Sequence, residues 1–335
     1  MTADQTPSPA IVQARGTRRA VTVHAIVWAA LLLFWFVGAG YLGLGTNALI
    51  MVLFALSLDL VLGYAGIVSM GHAAFFGAGA YIAGNIALHL TTNPLAGLAI
   101  ATLACAVIGA ATGALILHTR GVTLMMLTLA IGALFGEFAN QSHALTGGDD
   151  GLQGIRVAPL LGLFRFDLWG KTAYLYCLAV VFFWFIVVGM IVRSPFGRSL
   201  SGIRQNEKRM RAIGTPVWLR LVAMYAIGAA IAGSAGALQA QITRSVGLNS
   251  LSLLFSGTVL MVLILGGIRH RYGAFLGAIL YVVAQDLAAQ ADPFRWMLLI
   301  GAMLMASVLF LDNGLVSVVQ WLAARFARPK VDEHV

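Results

Sequence analysis

The strongest constraint on this chain is the return of apolar runs about twenty residues long, parted by loops often too short to form a domain. As α-helix, a run of that length rises ~30 Å, the thickness of a bilayer's hydrocarbon layer. Ten such runs can be drawn: 21–42, 46–62, about 71–90, 95–117, 121–141, 172–192, 221–242, 251–268, 272–290 and 294–311. Lipid offers a backbone no hydrogen bonds, and only helices satisfy every N–H and C=O within the segment. The expectation is an all-α polytopic membrane protein with about ten transmembrane helices. A cytoplasmic tail at 1–20 precedes a transmembrane domain at 21–311, and an amphipathic cytoplasmic tail follows at 312–335. Only 10% of the residues are charged and 60% are hydrophobic. Soluble domains carry roughly 25% charged residues, so one soluble core cannot hide this much apolar surface.

The net charge of +9 does not imply nucleic acid, because the positive residues gather in a few loops. Lys and Arg are held on the cytoplasmic side of a membrane protein. With the N-terminus and its Arg15, Arg18 and Arg19 inside, ten spans put Arg120, the 193–220 loop, Arg269, Arg271 and the C-terminal cluster (Arg325, Arg328, Lys330) inside as well. The loops at 38–45 and 89–94 fall outside and carry no Lys or Arg. The first apolar run exceeds the ~7–15 residues of a signal-peptide core, so it reads as a span. Cys105 and Cys177 lie within apolar runs and form no disulfide framework. No metal-ligand spacing, phosphate loop or nucleotide motif appears.

The basic stretch 193–220 interrupts this pattern. Pro195 and Gly197 stop the preceding helix, and Ser199 is placed to cap a new one. Leu200, Ile203, Met210 and Ile213 fall on one side of that helix. Arg204, Lys208, Arg209 and Arg211 fall mainly on the other. Gly214 and Pro216 end it. The result is a short basic amphipathic helix between two membrane segments. On charge alone it reads equally as a solvated topology marker or as a docking element.

Ionisable and glycine-rich positions inside spans are the other candidates, since a charge in hydrocarbon usually faces protein or water. Asp59 can line a passage or orient a neighbouring glycine turn. The stretch GYAGIVSMGHAAFFGAGAY, residues 63–81, holds Gly66, Ser69 and His72. Irregular backbone at that depth is tolerated only when buried or lining a cavity, which predicts a break near 66–71. His72 reads first as a packed, hydrogen-bonded side chain. Glu137 lies late in the fifth span, and a capping role is expected of it. Residues 145–154, LTGGDDGLQG, predict sharp turns in the longest outer loop. Residues 74–81 and 274–281, AFFGAGAY and AFLGAILY, form a faint internal echo.

Taken in order, these stretches resemble the permease subunits of branched-chain amino acid ABC importers, the LivM type, over about residues 56–311. Residues 63–81 look like that family's GYAG-x-x-S-x-GH-x-x-F-x-x-GAY segment. Residues 127–137 with 145–152 are similar to its TLA…E…LTGG-x-DGL segment. SPFGRSLSGIRQNE at 194–207 with AIG at 212–214 looks like its SPFGRAL-x-AIREN-E…A-LG loop, and AGSAGAL at 232–238 and LGG at 265–267 resemble its later glycine motifs. Met210 and Arg211 depart from the pattern, where the family tends to have small and acidic residues.

The resemblance implies a transport subunit without chemistry or cofactor of its own, ATP and Mg being bound by partner ATPases. The implied partners are a second, LivH-like permease, two cytoplasmic ATPase subunits, an extracytoplasmic solute-binding protein and membrane lipid. The implied location is a bacterial inner membrane. The 193–220 loop becomes a coupling helix for an ATPase, with Leu200, Ile203, Arg204, Asn206, Glu207, Met210, Ile213 and Gly214 as its contact set and its apolar face in an ATPase groove. A urea or short-amide importer is the near alternative. A membrane enzyme built on Asp59, His72 and Glu137, or a carrier working alone, is the distant one.

Overall fold

The computed structural model describes residues 24–315, apart from 39, 161, 163, 165–169, 293–294, 296, 299, 303–304 and 306–313. The chain runs through α1 (His24–Val37), α2 (Leu42–Leu58), α3 (Ala73–His89), α4 (Pro94–Ile116), α5 (Gly121–Gln141) and the one-turn α6 (His143–Thr146). It continues through α7 (Lys171–Arg193), α8 (Pro195–Gln205), α9 (Glu207–Ala212), α10 (Val217–Thr243), α11 (Leu253–Gly266) and α12 (Arg271–Ala291). No strand forms among the described residues. The long outer loop meets the end of α10 only through an isolated antiparallel bridge, Leu152 to Val246. The polytopic all-α architecture expected from the sequence is therefore present.

The count of ten spans is not supported. Among the described residues, six helices are long and apolar enough to cross a bilayer: α2 with its extension to Tyr64, α4, α5, α7, α10 and α12. Three expected spans are shorter. α11 has only 14 residues because a 3-10 turn at 248–251 takes up its start and Gly267, at φ 109°, stops its end. α3 has 17 because the chain from 65 to 72 is spent on the glycine-rich break. The described part of α1, His24–Val37, is also under the ~20 residues a spanning helix needs. The expected tenth span, the N-terminal tail and the amphipathic C-terminal segment lie largely or wholly outside the described residues.

Helix starts follow their capping chemistry. Asn93 accepts from the Leu95 N–H at 3.1 Å, with Pro94 in the first turn of α4. Ser252 accepts from Phe255 N–H at 3.2 Å to open α11. The echoed segments 74–81 and 274–281 each sit in a helix that follows a glycine break, α3 and α12.

The centre of the molecule is α2 and α10, whose apolar stretches are 78% and 83% buried. α10 works as a small-residue rail. Gly79 of α3 lies against the Gly233 backbone with no room for a Cβ, and Cys105 of α4 fills the space a Cβ on Gly233 would need. Gly109 of α4 rests on Ala229, and Gly228 accommodates Val61 of the α2 extension. Close backbone approach supplies dispersion contact where lipid gives no hydrophobic drive between helices. By contrast, only 17% of α5 is buried.

Candidate functional site

The basic stretch folds as two helices, not one. α7 ends at Arg193, and Ser194 rather than Ser199 is the cap, accepting from Gly197 N–H at 3.2 Å. Pro195 then occupies the first turn of α8, where its missing N–H costs nothing. Asn206 breaks the helix in extended backbone and caps α9, accepting from Arg209 N–H at 3.0 Å. Gly202 leaves the space that the Met210 thioether occupies, which lets α9 fold back along α8.

This hairpin corrects the expected apolar face. Leu200 and Ile203 are buried in the protein's own core, so they anchor α8 and are not open to a partner groove. The physical reason is the break at Asn206, which rotates α9 out of register with α8. Met210 is half-buried beside Gly202, Ile213 is 69% exposed, and no residue of α9 is buried. Gly214, at φ 79°, ends the hairpin on the surface.

Three braces tie the hairpin to the membrane body. The Arg204 guanidinium donates to the Gly63 carbonyl. That carbonyl belongs to a π-helical turn, Asp59–Tyr64, that continues α2; wide turns of this kind recur at functional positions. Gly66 sits beneath the same arginine. Its φ of 75° and the nearness of the Arg204 Cγ both exclude an ordinary side chain. Glu207, at the start of α9, pairs with Arg120 in the α4–α5 turn and, at 2.7 Å, with Arg211 one turn on. Partial burial and the neighbouring Arg211 pull the Arg120 guanidinium below its ordinary pKa. Glu207 is thus the shared counter-charge that lets two guanidiniums approach. His118 of the same turn stacks on Trp218, centroids 5.1 Å apart, near the start of α10.

Asp59 has its own task at this end. Its Oδ1 accepts from the Arg269 N–H at 2.7 Å, and Tyr64 donates to the Arg269 carbonyl at 3.2 Å. Arg269 stands at φ 69°, a costly conformation for a residue with a Cβ. Asp59 and Tyr64 hold both of its backbone groups, and so fix the turn between α11 and α12.

The break from 65 to 72 falls where the sequence puts it, and it is pinned from several sides. Met70 N–H donates to Thr128 of α5 at 3.1 Å, and Ala73 N–H donates to Ser256 of α11 at 2.9 Å. Ser69 is buried against the Tyr225 hydroxyl. His72 is fully buried, 2.9 Å from the Ser57 hydroxyl and stacked on Phe54 at 9°. Ser57 in turn donates to the Phe54 carbonyl at 2.6 Å. Glu137 is exposed on α5 and accepts from Gln141 at 2.7 Å. Asp59, His72 and Glu137 therefore each bond to a different neighbour and do not gather into one site. No cluster of three His, Cys, Asp or Glu able to hold a metal occurs among the described residues.

Sequence reasoning placed Gly66, Arg204 and Glu207 at this end. It missed Tyr64 as a clamp, and treated Arg120 and Arg269 only as topology markers. The density of arginine in three separate short turns was the available signal.

Several apolar helices long enough to cross a bilayer, packed around a small-residue rail, define a multi-pass membrane protein. The family model described as "Branched-chain amino acid transport system / permease component" matches residues 40–308, and the chain belongs to that family. It is 27% identical to the high-affinity branched-chain amino acid transport system permease protein LivM of Escherichia coli, over 89% of this chain and 73% of that one. Identity to the probable branched-chain amino acid transport permease protein LivM of Methanocaldococcus jannaschii is 24%, over 78% of this chain and 89% of that one. No solved structure matches the chain.

Proposed function

We propose that the chain is one permease subunit of an ATP-driven ABC importer for branched-chain amino acids. It forms half of the translocation pathway with a second permease of its kind. An extracytoplasmic binding protein delivers the solute, and two cytoplasmic ATPases, which bind the ATP and Mg, drive the cycle. The α8–α9 hairpin is the docking element. The observation that carries this reading is its division of labour: α8 is bolted into the body, with Arg204 gripping the Gly63–Gly66 segment, and α9 stands exposed and basic with Glu207 tied to the α4–α5 turn.

Charge supports the orientation. Among the described residues, Arg120, Arg193, Lys208, Arg211, Arg269 and Arg271 lie at the hairpin end, and the opposite end carries Asp149, Asp150 and Asp292 beside Arg156, Lys171, Arg244 and Arg295. Cations are retained on the cytoplasmic side, which supports a cytoplasmic hairpin end. Closure of the ATPases moves α9. Arg204 and Glu207 pass that movement to the π-turn and the α4–α5 turn, and the membrane helices rock between outward- and inward-open states.

The test is ATP-dependent uptake in proteoliposomes holding this chain, its ATPases and its binding protein. Leucine, isoleucine or valine should accumulate, and urea and short amides should not. Urea uptake without leucine uptake would overturn the solute assignment, and uptake without any ATPase would overturn the coupling.

A further inference from the structure

At the end of the molecule opposite the hairpin, a chamber of about 460 Å³ opens between α2, α11 and α12 beneath the 248–251 turn. Its floor is three phenylalanine rings. Phe54 and Phe255 stack with centroids 5.2 Å apart, Phe76 and Phe255 meet edge to face at 5.0 Å, and Phe54 and Phe76 lie 4.8 Å apart. Below Phe54 comes the buried His72–Ser57 pair, so the floor also seals the interior. The mouth is polar in a specific way. It carries one carboxylate, Asp286, together with the side-chain amides of Asn47, Gln239, Asn249 and Gln285. Asp286 is steadied by Gln290, which donates to its Oδ2 at 2.7 Å.

An apolar pocket of ~300–1,000 Å³ with a few convergent polar groups is the usual form of a small-molecule site. These groups also say which molecule. A lone carboxylate among amides suits a single ammonium group, whose one positive charge it balances. The amide N–H groups suit a carboxylate beside it. The ring floor suits a compact aliphatic group. A lipid chain has no use for such a mouth, and urea has none for such a floor.

We propose that this chamber is a transient binding site for a zwitterionic α-amino acid with a branched aliphatic side chain. The ammonium lies at Asp286, the carboxylate on the amides, and the side chain on Phe54, Phe76 and Phe255. It rests on the importer reading above, and it adds a solute-recognition step inside the permease itself. The three rings form the floor that must part for the solute to pass inward.

The test uses the complete transporter without nucleotide. Cys105 and Cys177, the chain's two cysteines, are both buried, so a thiol introduced by Gln285→Cys at the mouth is the accessible one. Its rate of alkylation by N-ethylmaleimide should fall about fivefold in saturating L-leucine. It should not fall with isocaproate, which lacks the ammonium, nor with urea. Asn47→Cys, on an exposed position across the mouth, is the second reporter should the first fail to assemble. Adding Asp286→Asn should raise the protecting leucine concentration about threefold, the modest effect expected of a half-exposed ion pair. Phe255→Trp, which crowds the floor, should abolish protection by leucine before protection by alanine. Normal alkylation unchanged by leucine at both reporters would overturn the chamber, even if the transporter imports leucine. Protection by leucine in a complex that shows no ATP-driven uptake would keep the chamber and overturn the importer reading.

Discussion

The two halves of the basic hairpin are made of similar residues and have opposite surroundings. α8 buries Leu200 and Ile203 completely or nearly so and sends Arg204 into the body. α9, one residue further on, buries nothing and is held by a single carboxylate, Glu207, whose side chain is 10% exposed between two far more exposed arginines. The difference teaches that an amphipathic pattern reports a covered face without saying what covers it. Here the covering partner of α8 is the chain's own core, while α9 with Ile213 is left uncovered, the surface that the proposed function gives to another subunit. A helix held both ways transmits force, because what moves α9 must also move Arg204 and the segment it grips.

Substitutions should separate the halves, and their effects on stability should fall in a fixed order. Leu200→Ala removes a fully buried side chain and should cost about 3 kcal/mol, read as a lowered midpoint of thermal unfolding in detergent. Gly66→Ala forces a Cβ into a left-handed position against Arg204 and should cost about 1–2 kcal/mol. ATP-driven uptake should fall further than that loss explains, because the Arg204 contact is displaced. Glu207→Gln leaves two guanidiniums without their counter-charge, one of them 65% exposed and the other 51%. Stability should change by less than about 1 kcal/mol, while amide exchange in α9 speeds up and coupling of ATP hydrolysis to uptake weakens. Ile213→Asp, at a site with no buried contact, should leave stability within about 0.5 kcal/mol and remove ATPase subunits from the purified complex. If Ile213→Asp and Leu200→Ala had the same stability effect, the two halves would not differ as described.

Much of this was legible beforehand because it is local. The break at 66–71, the glycine turns around Asp149, the rail on α10 and the stop at Pro195 all follow from residue types acting on their own backbone. What was not legible depends on partners far along the chain. Asp59 finds Arg269 at a separation of 210 residues and Arg204 finds Gly63 at 141, and no periodicity encodes such pairs. The single-helix reading of 199–213 failed because Asn206 both ends one helix and caps the next, and its cap bond competes with continuation. The span count is unsupported in part for a related reason: in α3 and α11 apolar length was read as helix length, though glycine breaks consumed part of it.

The most direct test of this division is a cross-link from Ile213→Cys in the assembled transporter, using a short bifunctional maleimide and single-thiol variants of the ATPase. The account predicts a cross-link from α9 to an ATPase subunit, with a yield that changes when ATP is added. A complex that hydrolyses ATP in response to loaded binding protein, yet gives no cross-link from this position in any nucleotide state, would contradict it.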